Sequence, residues 1–165
     1  MLKKEIIGMK HINKIIGIVD GDVLIYRSCH KSIKEELDVR KTFDKIYDEV
    51  KMNTACDEYS LHISGGGNFR KDLKQNFCKY KGKRREKPDN YLECREYIIK
   101  KYKPIMKKNY EADDTASVEA YNYIKTGQLY MLITLDKDWK TIGGLFYNLL
   151  YNNLSAISKV EGIEF

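Results

Sequence analysis

Three short acidic motifs carry the residues whose types and spacing are best suited to chemistry. Asp20-Gly21-Asp22 follows a continuous apolar run, and Asp136-Lys137-Asp138 follows another one. The third motif, Glu111-Ala112-Asp113-Asp114, opens a segment with helical periodicity, and its first and last carboxylates lie about one turn apart. In open α/β sheets, ligands bind beyond the carboxyl ends of the strands. If both apolar runs are central parallel strands, we therefore expect the motifs to meet at one edge of the sheet.

The seven carboxylates of these motifs would repel each other strongly at one edge. Two unit charges ~4 Å apart cost roughly 4 kcal/mol at an effective dielectric constant of about 20. Hard divalent cations relieve this repulsion, and an oxygen ligand set without His or Cys favours Mg²⁺ or Mn²⁺ over zinc. A pair of such ions about 4 Å apart can align a phosphodiester, generate hydroxide and neutralise the leaving oxygen. The motifs therefore favour metal-dependent hydrolysis of phosphodiesters.

Each motif also has a purely structural interpretation. Acidic residues at a helix N-terminus complement the macrodipole, which explains Asp113 and Asp114 without any ligand. Asp-Gly after a strand is ordinary turn chemistry, which explains Asp20-Gly21. The occurrence of two such strand ends and an acidic helix start in one chain favours the metal site.

The apolar patterns predict strands that alternate with helices. Continuous apolar runs predict strands at 15–19, 59–63 and 129–134, with a short strand near 145–147. Apolar residues at three- and four-residue intervals predict helices at 23–31, 39–52, 90–102 and 113–124. The third helix is expected to bury Leu92, Tyr97 and Ile98, and the small side chains of Ala112, Ala116 and Ala120 are expected to pack closely on the sheet. The pattern indicates a single α/β domain over residues 1–165, with a mainly parallel central sheet covered by helices on both sides.

A basic segment accompanies the acidic motifs. Residues 70–108 contain fifteen Lys and Arg against five Asp and Glu, a local balance of +10 in a chain whose net charge is +6. The rest of the chain therefore sums to −4, and this separation favours a polyanion held beside the carboxylates. Residues 79–87 lack clear periodicity and are expected to form an exposed loop or a helix ordered by ligand. A solvated, lysine-rich surface is the alternative explanation of the charge alone.

The cysteines and the apolar stretch near the N-terminus indicate in which cellular compartment the protein is expected. Cys29, Cys56, Cys78 and Cys94 lie far apart with no CxxC pair, which supports neither a zinc site nor a disulfide framework and predicts free thiols. The longest apolar stretch near the N-terminus, 15–19, is too short for the core of a signal peptide or for a membrane span. We therefore expect a cytoplasmic protein, in the host cytoplasm if a phage encodes it, without a membrane partner.

The order of the motifs resembles the 5′→3′ exonuclease and flap endonuclease family, which includes phage enzymes and the 5′-nuclease domain of bacterial DNA polymerase I. The resemblance runs from about Ile15 to Asn148. Besides the acidic motifs it rests on Ile18-Val19, Asn68-Phe69-Arg70 and Tyr80-Lys81-Gly82-Lys83-Arg84. The Glu-Ala-Asp-Asp and Asp-Lys-Asp elements, in this order and separation, are the more specific ones.

What the resemblance implies is a PIN-like α/β fold in three layers that binds two metal ions, Mg²⁺ or Mn²⁺, through carboxylates. By this resemblance the ligands of the first site are Asp20, Glu111 and Asp113, with Asp114 shared or nearby. Asp136 and Asp138 look like the ligands of the second site.

The resemblance also implies a set of cations that act on the substrate. Lys81 and Arg84 resemble the family's catalytic cations, on an arch around residues 79–87 through which a single-stranded 5′ end passes. Arg27 resembles a family arginine near the scissile phosphate. Because cations neutralise phosphates and a tyrosine can stack on a base, we also expect nucleic-acid contacts from Arg70, Lys79, Tyr80, Lys83 and Arg85.

Two departures from the family pattern affect the expected site. Family members usually carry an aspartate at the end of the second strand, where this sequence has Ser64 followed by three glycines. The sequence also ends at Phe165, before the region where the family places further metal-binding aspartates and a helix-three-turn-helix that holds duplex DNA. We therefore expect an incomplete second metal site and no C-terminal duplex-binding module, with a second polypeptide as a candidate source of that segment.

Three functions are compatible with these features. The first is a Mg²⁺-dependent 5′→3′ exonuclease or flap endonuclease acting on DNA with single-stranded 5′ ends or flaps. The second is a catalytically weak DNA-binding or accessory piece of a split nuclease. The third is a PIN-type ribonuclease, which the segment from Tyr80 to Arg84 disfavours because small RNA-cleaving relatives generally lack that basic arch.

Overall fold

The computed structural model of the chain describes residues 14–67 and 86–157, and these ranges form a sheet between two layers of helices. The sheet has five strands in the order β2-β1-β3-β4-β5. They are β1 (Ile16–Asp20), β2 (Glu58–His62), β3 (Tyr130–Thr134), β4 (Gly144–Asn148) and β5 (Asn153–Ile157). Strands β1 to β4 pair with one another in parallel, and β5 runs antiparallel to β4. The predicted α/β class with a mainly parallel sheet is confirmed.

Four α-helices and one 3₁₀ helix connect the strands of the described ranges. They are α1 (Gly21–Glu35), α2 (Val39–Thr54), α3 (Tyr91–Tyr102), α4 (Ala112–Thr126) and the 3₁₀ helix Lys137–Ile142. Helices α1, α2 and α3 contribute to one hydrophobic core, and α4 and the 3₁₀ helix contribute to a second one. Because β1 and β3 contribute residues to both cores, the sheet is covered on both faces, as predicted.

Strands β1 and β3 are buried over their whole length. All five residues of β1 and all five of β3 are buried, as expected of parallel strands between two layers of helices. Gly17 lets a ring pack directly on β1, because a Cβ at this position would lie 2.6 Å from Cδ1 of Tyr59. Strands β1 and β3 are parallel neighbours, so their carboxyl ends lie at the same edge of the sheet.

Helix α4 packs closely on the sheet through small side chains. Ala116 and Ala120 are fully buried and share the second core with Ile18, Leu132 and Phe146. Ala112, at the start of the helix, is also buried. The prediction that these alanines face the sheet is confirmed, and the close packing brings the acidic start of α4 near the strand ends.

The structure differs from the sequence-based expectations at several elements. Helix α1 begins directly after Asp20, so the first acidic motif lies at its N-terminus and not in a loop. Strand β5 was not predicted, because its residues are largely exposed and lack an apolar run. On α3, the residues that are buried are Tyr91, Cys94 and Ile98, whereas the side chain of Leu92 is 64 % exposed, so its expected burial is wrong.

The cysteines and the helices of the described residues can be compared with the sequence-based expectations. Cys29, Cys56 and Cys94 are buried free thiols, and Cys78 lies outside the described residues. Within 14–67 and 86–157, no helix combines the length and the apolar character needed to cross a membrane.

Candidate active site

A cavity of about 1010 Å³ opens at the carboxyl ends of the parallel strands. The connections from β1 lead first to β2 on one side and later to β3 on the other, so this edge is the topological switch point at which α/β sheets bind ligands. Six acidic residues line it, five of them from the three motifs: Asp20, Asp22, Glu49, Glu111, Asp113 and Asp136. The same cavity is lined by the basic or aromatic residues Tyr26, Arg27, His30, Lys31, Lys87, Tyr91 and Arg95.

Asp20 is the deepest of these carboxylates, with only 6 % of its surface exposed. The hydroxyl of Thr134 donates to its Oδ2 at 2.7 Å, and the backbone N–H of Val23 donates to its Oδ1 at 3.2 Å. Burial raises the pKa of Asp20 to about 6, the two hydrogen bonds oppose this, and the charges of Asp22 and Asp136 raise it further. A buried carboxylate under like-charge repulsion is a site at which a cation is stabilised.

Gly21 allows α1 to begin immediately at the strand end. A Cβ at this position would lie 2.6 Å from Cγ2 of Ile63 and 2.7 Å from the backbone oxygen of His62. The second contact is with backbone, which cannot move aside cheaply. The missing side chain at Gly21 therefore lets Asp20 and Asp22 lie close to the end of β2. Gly21 has helical backbone geometry within α1, so a larger residue is excluded here by lack of space and not by backbone conformation.

Ser64, just beyond β2, connects three parts of the cavity wall. Its backbone N–H donates to Asp22 Oδ2 at 3.1 Å, and its hydroxyl hydrogen-bonds to the same oxygen. The hydroxyl also accepts from the backbone N–H of Ala112, the first residue of α4, at 3.2 Å. Arg95 of α3 donates from Nη2 to the backbone oxygen of Ser64 at 2.6 Å. One serine thus links α1, α3 and α4 to the end of β2.

The acidic start of α4 places two carboxylates on the cavity and one on the helix cap. Glu111 and Asp113 line the cavity. Asp114 accepts a hydrogen bond from the backbone N–H of Glu111 at Oδ2, 2.9 Å away, which satisfies a donor at the helix N-terminus. Asp114, predicted as a shared or nearby metal ligand, is not among the described lining residues.

The motif Asp136-Lys137-Asp138 at the end of β3 is also held by hydrogen bonds. The backbone N–H of Asp136 donates to the Thr134 hydroxyl at 3.0 Å, the same hydroxyl that donates to Asp20. The backbone N–H of Asp138 donates to Asp136 Oδ1 at 2.9 Å. Asp136 lines the cavity, whereas Asp138 is exposed in the first turn of the 3₁₀ helix and is not among the lining residues.

Basic and aromatic side chains also form part of the cavity wall. Arg27 donates from Nη1 to the backbone oxygen of Leu149 at 2.8 Å, which ties α1 to the segment after β4. The rings of Tyr26 and Tyr91 lie 5.3 Å apart, and the ammonium of Lys87 lies 4.3 Å above the Tyr91 ring. Cations beside aromatic rings are suited to phosphates and bases, so this wall matches a nucleic-acid strand.

A buried network behind the cavity fixes α4 on β2. His62 is fully buried, with Nε2 lying 2.5 Å from Glu119 Oε2 and Nδ1 lying 2.9 Å from the Thr115 hydroxyl. The hydroxyl of Tyr123 donates to Glu119 Oε1 at 2.6 Å. These groups satisfy each other between the helix and the strand, so they hold the register of α4 and of the carboxylates at its start.

The structure brings together some of the predicted residues and leaves others untested. Of the predicted metal ligands, Asp20, Glu111, Asp113 and Asp136 line one cavity, and so does the predicted catalytic residue Arg27. The predicted cations and tyrosine of the arch lie outside the described residues, namely Arg70, Lys79, Tyr80, Lys81, Lys83, Arg84 and Arg85. Sequence reasoning did not single out Arg95, because a lone cation on a helix carries no signal, and it noted Ser64 only as the residue that stands where the family usually has an aspartate. Asp22 was visible in its motif but was not predicted to be a ligand.

The carboxylates of the cavity fit a divalent cation that keeps several water molecules better than one that is fully enclosed by protein ligands. Among the described side chains, no group of three or more His, Cys, Asp or Glu converges closely enough to hold a metal by itself. Mg²⁺ usually keeps several waters and binds through one or two carboxylates together with substrate phosphates. Oδ1 of Asp22 is buried and has no hydrogen-bond partner among the described residues, which is the kind of orphaned oxygen that an ion or its water satisfies. The carboxylates of the lining, together with this orphaned oxygen, therefore fit Mg²⁺ or Mn²⁺.

Comparison with known proteins finds likeness in structure only. No family model and no curated protein matches the chain. Among solved structures, it is similar to the T5 5′-exonuclease with bound zinc ions, at 19 % identity and a TM-score of 0.61 over 87 % of this chain and 58 % of that one. It is also similar to the bacteriophage T5 flap endonuclease in a pseudo-enzyme-product complex with DNA and metal ions, at 18 % identity and a TM-score of 0.62 over 87 % and 58 %. A mutant of T5 5′-exonuclease matches at 15 % identity and a TM-score of 0.59 over 87 % and 53 %.

These matches concern the fold, because the identities are low. The chain spans just over half the length of the structures that it matches. The described part of the chain has the nuclease fold of phage T5 5′-exonuclease, and the resemblance drawn from the sequence motifs is confirmed at the level of the fold.

Proposed function

We propose that the chain is the PIN-like catalytic unit of a metal-dependent 5′→3′ exonuclease or flap endonuclease acting on DNA. The observation that carries the proposal is the cavity at the switch point of the sheet, which carboxylates from all three acidic motifs line together with several cations and tyrosines. The fold supports it, because structures with the same fold are a 5′-exonuclease and a flap endonuclease, one of them in complex with DNA and metal ions.

The chemistry follows from what each wall of the cavity can do. A bound Mg²⁺ or Mn²⁺ supplies Lewis acidity towards a phosphate oxygen and lowers the pKa of a water molecule. Asp20, Glu111, Asp113 and Asp136 bind and orient the cation, with Asp114 and Asp138 close in sequence to the lining residues. Because burial raises the pKa of Asp20 to about 6 without metal, protonation of this carboxylate competes with cation binding at mildly acidic pH.

The basic and aromatic wall binds the substrate strand. Arg27 and Arg95 place guanidinium groups on the cavity, and bidentate hydrogen bonds from such groups suit a phosphodiester. Tyr26 is 37 % exposed and its ring packs on the buried Tyr91, so this is the ring on which a base can stack. Lys81 and Arg84, outside the described residues, are proposed to add charge at the transferring phosphate from the arch.

Two other functions remain as defined alternatives. A catalytically weak DNA-binding piece of a split nuclease would keep the basic wall and the fold but cleave slowly. A PIN-type ribonuclease would use the same carboxylates on RNA. The similar flap endonuclease structure favours DNA over RNA, because that enzyme was solved in complex with DNA.

Cleavage of a panel of 5′-labelled substrates tests the proposal. The full chain is incubated with flap DNA, single-stranded DNA and single-stranded RNA, each with Mg²⁺, Mn²⁺ or a chelator. We expect cleavage of the DNA substrates near the 5′ end with either ion and none with the chelator. Preferential cleavage of RNA would establish the ribonuclease, and DNA binding with no cleavage in either ion would establish the accessory protein.

A further inference from the structure

The environment of Asp22 distinguishes it from the other carboxylates of the cavity. Within the described residues, Ser64 donates two hydrogen bonds to Asp22, and both go to one oxygen, Oδ2. The other oxygen, Oδ1, is buried and has no hydrogen-bond partner among the described residues. A carboxylate oxygen in this condition calls for a cation or a water, since a buried acceptor without a partner is unfavourable.

The hydroxyl of Ser64 can serve only one acceptor, and its geometry identifies which. The backbone N–H of Ala112 must donate to the hydroxyl oxygen, since an amide cannot accept. The single hydroxyl proton is therefore available to Asp22 Oδ2, which also receives the backbone N–H of Ser64. Two donors on one oxygen fix the plane of the carboxylate and leave the second oxygen for another partner.

The position of Asp22 makes a divalent cation the fitting partner. Asp22 lines the cavity together with Asp20, Glu111, Asp113 and Asp136. The cations that line the cavity include Arg27 and Arg95. Arg27 donates to the backbone oxygen of Leu149, and Arg95 donates to the backbone oxygen of Ser64 and to Sδ of Met106. An arginine partner for Oδ1 is therefore not supplied by this part of the chain.

We propose that Asp22 is a further ligand of the divalent cation, bound through Oδ1, and that Ser64 is a positioning residue that holds Asp22 in the ligating orientation. The proposal rests on the proposed metal-dependent function. It assigns to the start of α1 a second carboxylate in addition to Asp20, and it gives the end of β2 a role through a hydroxyl and an amide that orient a ligand.

The substitution Asp22→Asn separates ligation from support of the fold. Its carbonyl oxygen can still accept both hydrogen bonds from Ser64, while an NH₂ group takes the place of the buried Oδ1. Mn²⁺ affinity of the full chain, without substrate, is measured by the loss of the free-ion electron paramagnetic resonance signal. The increase in Tm on adding Mg²⁺ is a second readout that depends on affinity and not on the metal-free stability.

We expect Asp22→Asn to weaken Mn²⁺ binding by roughly tenfold or more and Ser64→Ala by about tenfold, the range found for groups that orient metal ligands. The Mg²⁺-induced rise in Tm should shrink in both variants, and Ser64→Thr, which keeps the hydroxyl, should restore most of it. Asp48→Asn is the matched control, because Asp48 is an exposed aspartate on α2 and its loss should leave Mn²⁺ affinity unchanged.

The outcomes separate the inference from the function on which it rests. If Asp20→Asn abolishes Mn²⁺ binding and Asp22→Asn leaves it unchanged, the metal site stands and the role of Asp22 is wrong. If the wild-type chain binds no Mn²⁺, the proposed metal site itself fails. If Asp22→Asn does not fold, Ser64→Ala decides, and an unchanged Mn²⁺ affinity in that variant overturns the proposal.

Discussion

Asp20 destabilises the metal-free fold at neutral pH, and in the proposed function it binds the cation. It is buried at the end of β1, it caps α1 through Val23, and it receives the hydroxyl of Thr134. These hydrogen bonds lower its pKa, but burial outweighs them and raises it to about 6. The residue therefore destabilises the metal-free protein at neutral pH, and this cost is the electrostatic counterpart of cation binding.

The pH dependence of stability tests this account of Asp20. Because the folded protein holds the proton of Asp20 more tightly than the unfolded chain, the metal-free protein loses stability as the pH rises from about 4 to about 6. The loss is on the order of 3 kcal/mol, from about 1.4 kcal/mol per pKa unit. Asp20→Asn should flatten this part of the curve and raise the free energy of unfolding at pH 7, since Asn is as good an N-cap as Asp.

Urea denaturation with chelator, from pH 4 to 7, measures this difference between wild type and variant. Asp48→Asn, on the exposed face of α2, serves as the control and should leave the pH profile unchanged. A profile of Asp20→Asn that runs parallel to that of the wild type would show that Asp20 carries no burial cost.

Lys81 and Arg84 are predicted to act on the transferring phosphate, and this prediction stands on the sequence alone. Lys81→Ala and Arg84→Ala should each lower the single-turnover rate on flap DNA by on the order of 100-fold, the typical effect of removing one group that stabilises transition-state charge. Substrate affinity should change much less. Lys100→Ala, at an exposed position on α3, is the matched control, and an equal loss of rate in all three variants would indicate a diffuse charged surface.

At the scale of residues, the acidic motifs were informative because their chemistry is local. Asp20, Glu111, Asp113 and Asp136 could be predicted as neighbours, since each follows a strand or opens a helix at the same edge. The family resemblance marked the position of Ser64, where family members usually carry an aspartate, but it did not predict what Ser64 does. That role depends on contacts with Asp22 and Ala112, which lie 42 and 48 residues away, so only the tertiary structure shows it.

At the scale of elements, α4 is the helix on which the site depends most. Its alanines pack on the sheet, its first residues carry Glu111 and Asp113, and its middle is fixed by Glu119 to His62. His62 is fully buried, whereas the side chain of Glu119 is 18 % exposed. Removing the carboxylate therefore leaves a buried imidazole nitrogen without its partner.

Substitution of Glu119 should loosen α4 and with it the acidic start of the helix. We expect Glu119→Ala to lower the free energy of unfolding by about 2–4 kcal/mol, as for loss of one partner of a buried pair. Glu119→Gln keeps an acceptor for His62 and should cost less. Chemical denaturation checks both, with Glu96→Ala at an exposed position of α3 as control. Equal stability of Glu119→Ala and the control would show that the pair does not hold the helix.

The elements predicted from the sequence are those with strong apolar periodicity. Strands β1 and β3 are buried over their whole length, and α2 has apolar residues at regular intervals, so their patterns were clear. Strand β5 pairs with β4 through its backbone while its side chains are largely exposed, so nothing in its composition marks it. The burial of Cys94 and exposure of Leu92 on α3 depend on which neighbours the helix packs against, which its own sequence does not specify.

At the scale of the whole molecule, the fold explains why distant motifs form one site. The parallel strands β1 and β3 are neighbours, so Asp20 and Asp136 meet although 116 positions separate them. The crossover through α4 brings Glu111 and Asp113 to the same edge. Carboxylates from the strand ends and the guanidinium groups of Arg27 and Arg95 line the same cavity. A polyanion and the cations that the carboxylates attract can therefore be bound at one site.

The central claim is that this cavity is a metal-dependent nuclease centre, and Asp113 tests it most directly. Asp113→Asn keeps the shape of the side chain at the start of α4 but removes a charge that would bind the cation. The measurement is the single-turnover rate of cleavage of 5′-labelled flap DNA in Mg²⁺, for wild type, Asp113→Asn and the control Asp48→Asn, each also with chelator. We predict that Asp113→Asn loses on the order of 10³-fold or more in rate with DNA affinity nearly intact, while the control cleaves like wild type. Cleavage by Asp113→Asn at the wild-type rate, or cleavage that persists with the chelator, would contradict the account.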